Sequence, residues 1–275
     1  MGSEAEASNE DALLQAARAG NREALSELLL QHQQRVFGFG MKMCGDPEDA
    51  RDVAQETMLS LVRSLPTFRG ESSVSTWLYT VARSFCIKKR RRTKGAPAHH
   101  ESLDPTTQEQ SAAPAPTPEQ TLLGREAREA VANALDHLEP DAREVVILRD
   151  IEGLTAPEVA EITGLSVAAV KSRLHRARQA LREHLVAVVG DAPAPATPSC
   201  PDVLTLLSQK LEDDVSPDLC AQMEKHVEGC PHCKGLCDSL KRSLAVCRSF
   251  SSPTVPRHVQ ESLRQAVQAA LEQHS

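Results

Sequence analysis

Apolar residues recur three and four positions apart along most of this chain, the spacing of a single buried stripe on an α-helix. EDALLQAARAG and NREALSELLLQHQQRVFGFGMKMCG carry that pattern first. DPEDARDVAQETMLSLVRSL follows and opens with an Asp-Pro pair, Asp46 suited to cap a helix and Pro47 to its first turn. FRGESSVSTWLYTVARSFCIKKRRRTK restarts the periodicity after Gly70 and ends on a basic run. Between 140 and 185 the punctuation is denser. A helix over DAREVVILRDIE stops at Gly153, and a short one starts behind Thr155 with Pro157 and Glu158 in its first turn. Gly164 and Leu165 then turn the chain, and Ser166 caps a third helix. Two helices joined by a short glycine turn predict a helix-turn-helix, whose second helix enters the major groove of DNA. A last amphipathic stretch, VPRHVQESLRQAVQAALEQH, predicts a helix that packs on another helix of this chain or of a second copy.

Two segments break the pattern. APAHHESLDPTTQEQSAAPAPTP (96–118) holds five prolines and no apolar period, and VGDAPAPATPS (189–199) repeats the Ala-Pro signature. Both predict extended linkers. They set the expected organisation: a helical domain over 10–95, a linker at 96–118, a helix-turn-helix domain over 119–188, a linker at 189–199 and a small helical Cys-rich domain over 200–275. With aromatics at 3%, each core must be built from Leu, Val, Ala and Ile, which suits helix on helix. The expected fold class is all-α.

Charge changes the picture more than composition does. The overall balance is −7, yet residues 1–60 hold 11 acids and 5 bases while 61–95 hold 9 bases and 1 acid. Residues 96–140 return to 8 acids against 2 bases, and 141–190 carry 7 of each. This alternation predicts separate surfaces for a basic partner and for a polyanion. On the third helix of the middle block, Lys171, Arg173, Arg176, Arg178 and Arg182 stand against one acid, Glu183. Val170, Leu174, Ala177 and Leu181 form its apolar stripe, so the expectation is that the cations face outward toward phosphates and base edges. No run of about 18 apolar residues exists, and MGSEAEASNE is polar and acidic, which predicts a cytoplasmic protein with no membrane partner. No HExxH, paired-carboxylate, phosphate-loop or nucleophile-elbow motif occurs, so no catalytic residues and no enzyme are expected.

DPEDARDVAQETMLSLVRSLPTFRGESSVSTWLYTVARSFCIKKRRR resembles the second conserved region of the extracytoplasmic-function (ECF) sigma factors, and LEPDAREVVILRDIEGLTAPEVAEITGLSVAAVKSRLHRARQALR resembles their fourth. The resemblance implies RNA polymerase core and promoter DNA as partners. It makes Asp46, Glu48, Asp49, Asp52, Gln55 and Glu56 the polymerase-docking face, where acids suit a basic partner. It gives Arg83, Lys88, Lys89, Arg90 and Arg91 to the −10 element, where strand separation needs a positive groove. Trp77, among apolar neighbours, reads more readily as core than as a stacking platform. Lys171, Ser172, Arg173, His175 and Arg176 match the positions that contact the −35 element.

In a reducing compartment, eight cysteines predict metal ligands, sensors or core fillers rather than disulfides. Cys44 and Cys86 read as core fillers. In the C-terminal block, Cys200…His226-x3-Cys230-x2-Cys233 resembles a zinc-binding anti-sigma domain. His226 and Cys230, four apart, are expected on one helix face, with Pro231 starting a new helix that carries Cys233. Three sulfurs and one nitrogen suit a tetrahedral site for a soft divalent ion. Cys220, Cys237 and Cys247 are three further thiols, which suggests a second site or ligand exchange. A sigma factor fused to a Cys-rich tail resembles the CorE-like, metal-responsive group. Copper-responding members carry a Cys-x-Cys pair that is absent here, which favours Zn²⁺ or Cd²⁺ over copper. The expectation is a tail that restrains the DNA-binding blocks until metal shifts the population to a competent form. The alternative is a structural zinc domain answering to redox or to a partner protein.

Overall fold

The computed structural model describes residues 2–68, 70, 72–93, 118–190, 200–250 and 255–272. The two expected linkers lie almost wholly outside the described residues. Among the described residues, all regular structure is helical. In chain order the helices are α1 (Gly2–Arg18), α2 (Arg22–Cys44), α3 (Pro47–Ser64), α4 (Val74–Thr93), α5 (Pro118–His137) and α6 (Pro140–Val146). After a wide turn over Ile147–Ile151 follow α7 (Ala156–Thr163), α8 (Val167–Val189), α9 (Val203–Lys210), α10 (Pro217–Gly229), α11 (Pro231–Arg248) and α12 (Arg257–Glu272). The all-α expectation holds. None of these helices is long and apolar enough to cross a membrane.

The chain divides into two compact units, one from residues 1–109 with 252–275, the other from 110–251. In the first, Asn21 caps α2 by accepting from the Glu23 and Ala24 amides at 2.9 and 3.0 Å. Gly45, at φ 74°, ends α2, and Asp46 caps α3 by accepting from the Asp49 amide at 2.8 Å. This short turn lays α2 and α3 side by side. At Gly40 a Cβ would stand 3.1 Å from the Ala50 Cα, so the two backbones meet closely there and a side chain would have to push them a few tenths of an ångström apart. Leu28, Phe39, Ala50, Val53, Ala54, Met58, Leu61, Leu78 and Ala82 are almost fully buried between α2, α3 and α4. Phe39 and Tyr79 meet edge to face at 5.3 Å. Trp77 is half-buried with its ring edge-on to Phe68 at 6.2 Å. α12 belongs to this unit. It packs on α3 through Val259, Leu263 and Val267, a stripe at every fourth position, and the Val255 amide donates to Gln34 Oε1 at 3.0 Å.

The second unit is built around α8. Thr155 and Glu158 form a reciprocal cap on α7, Gly164 at φ 72° turns the chain, and Ser166 caps α8 by accepting from the Ala169 amide. Val170, Leu174, Ala177, Leu181 and Leu185 form the buried stripe of α8, against which α5, α6 and α7 pack. α9, α10 and α11 enclose a small core of Val203, Leu207, Met223, Cys233, Cys237, Leu240 and Leu244. α9 and α11 also lie along α8. Arg242 of α11 donates to the Val189 and Gly190 carbonyls at 2.9 and 3.0 Å, filling acceptors left open at the α8 C-terminus.

Candidate functional site

Four potential ligands converge in the second unit. Cys200 precedes α9, His226 sits in the last turn of α10, Cys230 links α10 to α11, and Cys233 lies in the first turn of α11. One ligand atom from each lies within 4.8 Å of the others. The Cys200 and Cys230 sulfurs are 3.7 Å apart, and His226 Nε2 is 3.2 Å from the Cys233 sulfur. A tetrahedral ion with zinc–sulfur arms would set its sulfurs about 3.8 Å apart, close to the Cys200–Cys230 separation, so small side-chain shifts would close the cluster on such an ion. Cys233 is fully buried, and burial first, then hydrogen bonding to Cys200 and Cys230, pushes its thiol up to about 12. A cation replacing its proton would relieve that cost.

The expected shared helix face of His226 and Cys230 does not form. Gly229 ends α10, and Cys230 is extended at φ −119° and ψ 104°. A glycine followed by a residue that precedes proline leaves the helix there, since proline disfavours helical backbone before it. The corner at Cys230, rather than helical periodicity, aims both side chains at one point.

The remaining tail thiols stand outside this group. Cys237 is buried one turn beyond Cys233 in the small core, and burial raises its thiol. Cys247 is buried toward the end of α11, and burial pushes it up to about 12. Half-buried Cys220 has its sulfur 3.8 Å from Glu224 Oε1. In the first unit the Cys44 and Cys86 sulfurs are 3.2 Å apart, where α2 ends against α4.

The expected polymerase-docking and −10 residues partly engage one another. Lys89 Nζ is 2.9 Å from Asp49 Oδ1 and 2.6 Å from Asp52 Oδ2, tying α4 to α3. Burial disfavours both charges, but their mutual hydrogen bond and attraction, with Asp49 acting on Lys89 and Arg51 on Asp52, together outweigh it, raising Lys89 and lowering Asp52. Asp46 is the α3 cap, Glu48 pairs with Arg51 at 2.8 Å, Gln55 is half-buried and Glu56 is exposed. Lys88 is exposed over the Phe85 ring at 5.2 Å, and Arg83 and Arg90 are half-buried. The Arg91 side chain lies outside the described residues.

On α8 the expectation of outward-facing cations needs correction. Arg178 is 1% exposed and Arg182 7%. Arg178 makes a two-pronged contact with Asp150, Nε to Oδ2 at 2.9 Å and Nη2 to Oδ1 at 2.7 Å. Its Nη2 also reaches Glu212 Oε1 at 2.6 Å, and its Nη1 donates to Ser208 Oγ at 3.0 Å. Arg149 Nε meets the other Glu212 oxygen at 3.0 Å. Burial lowers the Arg178 pKa, yet the carboxylates overcompensate and raise it. Two residues expected at the −35 element are also engaged by the tail: Lys171 Nζ lies 3.0 Å from Asp214 Oδ1, and His175 Nδ1 lies 2.7 Å from Ser208 Oγ. Burial, then the Arg178 charge, lowers the His175 pKa. The neutral ring suits a Ser208 hydroxyl that accepts from Arg178 and donates to Nδ1. Arg173 pairs with Asp141 at 3.0 Å, while Ser172 and Arg176 are exposed.

Asp150, Ser208, Glu212 and Asp214 were not foreseen. A signal for them exists. Lys171, His175, Arg178 and Arg182 recur at intervals of four, three and four, which is the period of a packing face, and the tail offers a short acidic run, LEDDV, to meet it.

Three family models match separate stretches: "Sigma-70 region 2" over residues 28–95, "Sigma-70, region 4" over 128–181, and "Putative zinc-finger" over 200–234. The chain is 32% identical over 169 residues to the RNA polymerase sigma factor YlaC of Bacillus subtilis, covering 60% of this chain and 94% of that protein. It is 28% identical over 184 residues to the RNA polymerase sigma-H factor of Pseudomonas aeruginosa, covering 66% and 95%. Among solved structures it is similar to that of CnrH in complex with the cytosolic domain of CnrY, at 26% identity and a TM-score of 0.47, covering 65% of this chain and 98% of that one.

Proposed function

Because the chain belongs to the ECF family of RNA polymerase sigma factors, whose partners are the polymerase core and promoter DNA, we propose that its own activity is gated by a metal ion held in the C-terminal tail. In this reading residues 10–95 bind polymerase and the −10 element, 119–188 bind the −35 element, and 200–275 carry the metal-responsive domain. The acids and Gln55 of α3 dock on polymerase. The cations of α4 hold the opened strand, and Lys171, Ser172, Arg173, His175 and Arg176 read the −35 duplex. Cys200, His226, Cys230 and Cys233 would hold the ion, a Lewis acid that displaces thiol protons and cross-links α9, α10 and α11.

The observation that carries the reading is the convergence of four ligands around α9, α10 and α11, of which α9 and α11 also pack along α8. An ion at that junction acts on the element that reads DNA. Coordination can contribute on the order of 10 kcal/mol, above the ~5.5 kcal/mol needed to invert a two-state population. Three sulfurs and a nitrogen suit Zn²⁺ or Cd²⁺, and the missing Cys-x-Cys pair argues against copper. Transcription reconstituted with purified polymerase, comparing Zn²⁺, Cd²⁺ and Cu⁺, tests it. Output should change on titration with Zn²⁺ or Cd²⁺ and not with Cu⁺, and the double variant Cys230→Ser, Cys233→Ser should lose that response. Identical output across metals, chelator and variant would refute the gate.

A second reading keeps the ion as a permanent staple and assigns control to redox or to a partner protein. The closed four-ligand set with a fully buried Cys233 favours it. Output that tracks thiol oxidation while ignoring metal titration would select this alternative.

A further inference from the structure

We infer that the tail segment 205–214 is an autoinhibitory latch, an acidic strap whose side chains occupy the face of α8 that would otherwise meet DNA phosphates. The inference rests on α8 being the DNA-reading helix and adds what the tail does to it.

The strap has an anchor and a clasp. The anchor is buried: Ser208 and Glu212 meet Arg178, which Asp150 holds from the other side, while Arg149 reaches Glu212 and the Leu211 carbonyl. Gln179 Nε2 adds a bond to Thr205 Oγ1 at 3.2 Å. The clasp lies nearer solvent: Asp214 meets Lys171, and Ser208 meets His175. Lys171, His175 and Arg178 share one stripe of α8, so a single strap covers successive turns. Between the two acids, Asp213 adopts φ 50°, an uncommon conformation that Asp tolerates better than most residues. It redirects the chain so that Glu212 points into the anchor and Asp214 onto the clasp.

A carboxylate against Lys171 stands in for a phosphate oxygen. A phosphate arriving at this ammonium would be repelled by the Asp214 carboxylate already beside it, so strap and DNA compete for Lys171. Ser172 and Arg176 remain exposed beside the strap and can form a first, weak contact. Two distinct sites biasing one element are coupled by typically about 5–150-fold in affinity, which sets the scale of relief when the clasp is cut.

The test uses the full-length protein with its metal and a random-sequence DNA duplex at low salt. A zero-length carbodiimide activates the Asp214 carboxyl; the Lys171 amine displaces the urea by-product and an amide forms. Mass spectrometry should find the Lys171–Asp214 cross-linked peptide, and saturating duplex should suppress it. Fluorescence anisotropy should show Asp214→Asn tightening DNA binding about 5-fold or more, while Asp218→Asn, the same loss of charge on exposed α10, leaves it nearly unchanged. Absence of the cross-link, its persistence at saturating DNA, or equal effects of the two variants would each overturn the latch. Arg176→Ala tells the two ideas apart. Unchanged DNA binding in that variant refutes α8 as reader, whereas weakened binding beside a silent Asp214→Asn refutes the latch alone.

Discussion

Arg178 places all three guanidinium nitrogens on internal acceptors, two of them buried carboxylates. Its sequence neighbours Lys171, Arg173 and Arg176 carry the same charge at moderately to fully accessible positions. Sequence periodicity cannot separate these tasks, because an outward cation and a buried one follow the same helical period. What distinguishes Arg178 is a carboxylate 28 residues earlier and another 34 later, and chain folding alone brings those together. The two assignments differ in what a truncation does. If Arg178 read DNA, Arg178→Ala would lower DNA affinity and leave stability untouched. As an internal clamp, its loss strands Asp150 in a buried site and weakens the hold on Glu212, which typically costs about 3–5 kcal/mol. Urea denaturation of the full chain should show that loss, with a markedly lower midpoint for the transition that reports on α8.

At the scale of elements, short-range chemistry was legible and long-range pairing was not. Asp46 with Pro47, Thr155 with Glu158, Gly164 and Ser166 each act within four residues, and each appears in the role its residue type suggests. The convergence of Cys200, His226, Cys230 and Cys233 was also legible from spacing, although Cys230 reaches its place through an extended corner and not through a helix. The resting place of the C-terminal helix could not be read. The amphipathic stripe of α12 states that something covers it, and only the fold supplies α3 as the cover, some 200 residues earlier in the chain. Leu263 sits at the centre of that stripe and is 4% exposed. Leu263→Ala should cost about 2–5 kcal/mol of α12 docking. Hydrogen exchange checks it: amides of residues 257–272 should lose protection while those of α8 keep theirs.

For the molecule as a whole, the C-terminal region does not act as one appendage. Its α9, α10 and α11 complete the second unit, and its α12 completes the first. Truncation after residue 199 would therefore strip packing from both units at once and could not isolate the restraint on DNA binding. The metal offers a cleaner handle. Cys200 stands three residues before α9, the helix that carries Ser208 into the latch anchor, and the four ligands are already convergent while the latch is closed. An ion that fits this arrangement binds the latched form better than any form in which α9 has moved, and so draws population toward it. Stabilisation by such a ligand grows with its free concentration, about 2.7 kcal/mol at a hundredfold excess over Kd. Chelation should thus lower the melting temperature of the full chain and reduce the yield of the Lys171–Asp214 cross-link, and added Zn²⁺ should restore both. A cation that instead lowers the cross-link yield while binding the same thiols must draw them into a different arrangement. Comparing Cd²⁺ with Zn²⁺ in this one measurement therefore separates an ion that holds the recognition helix closed from one that releases it.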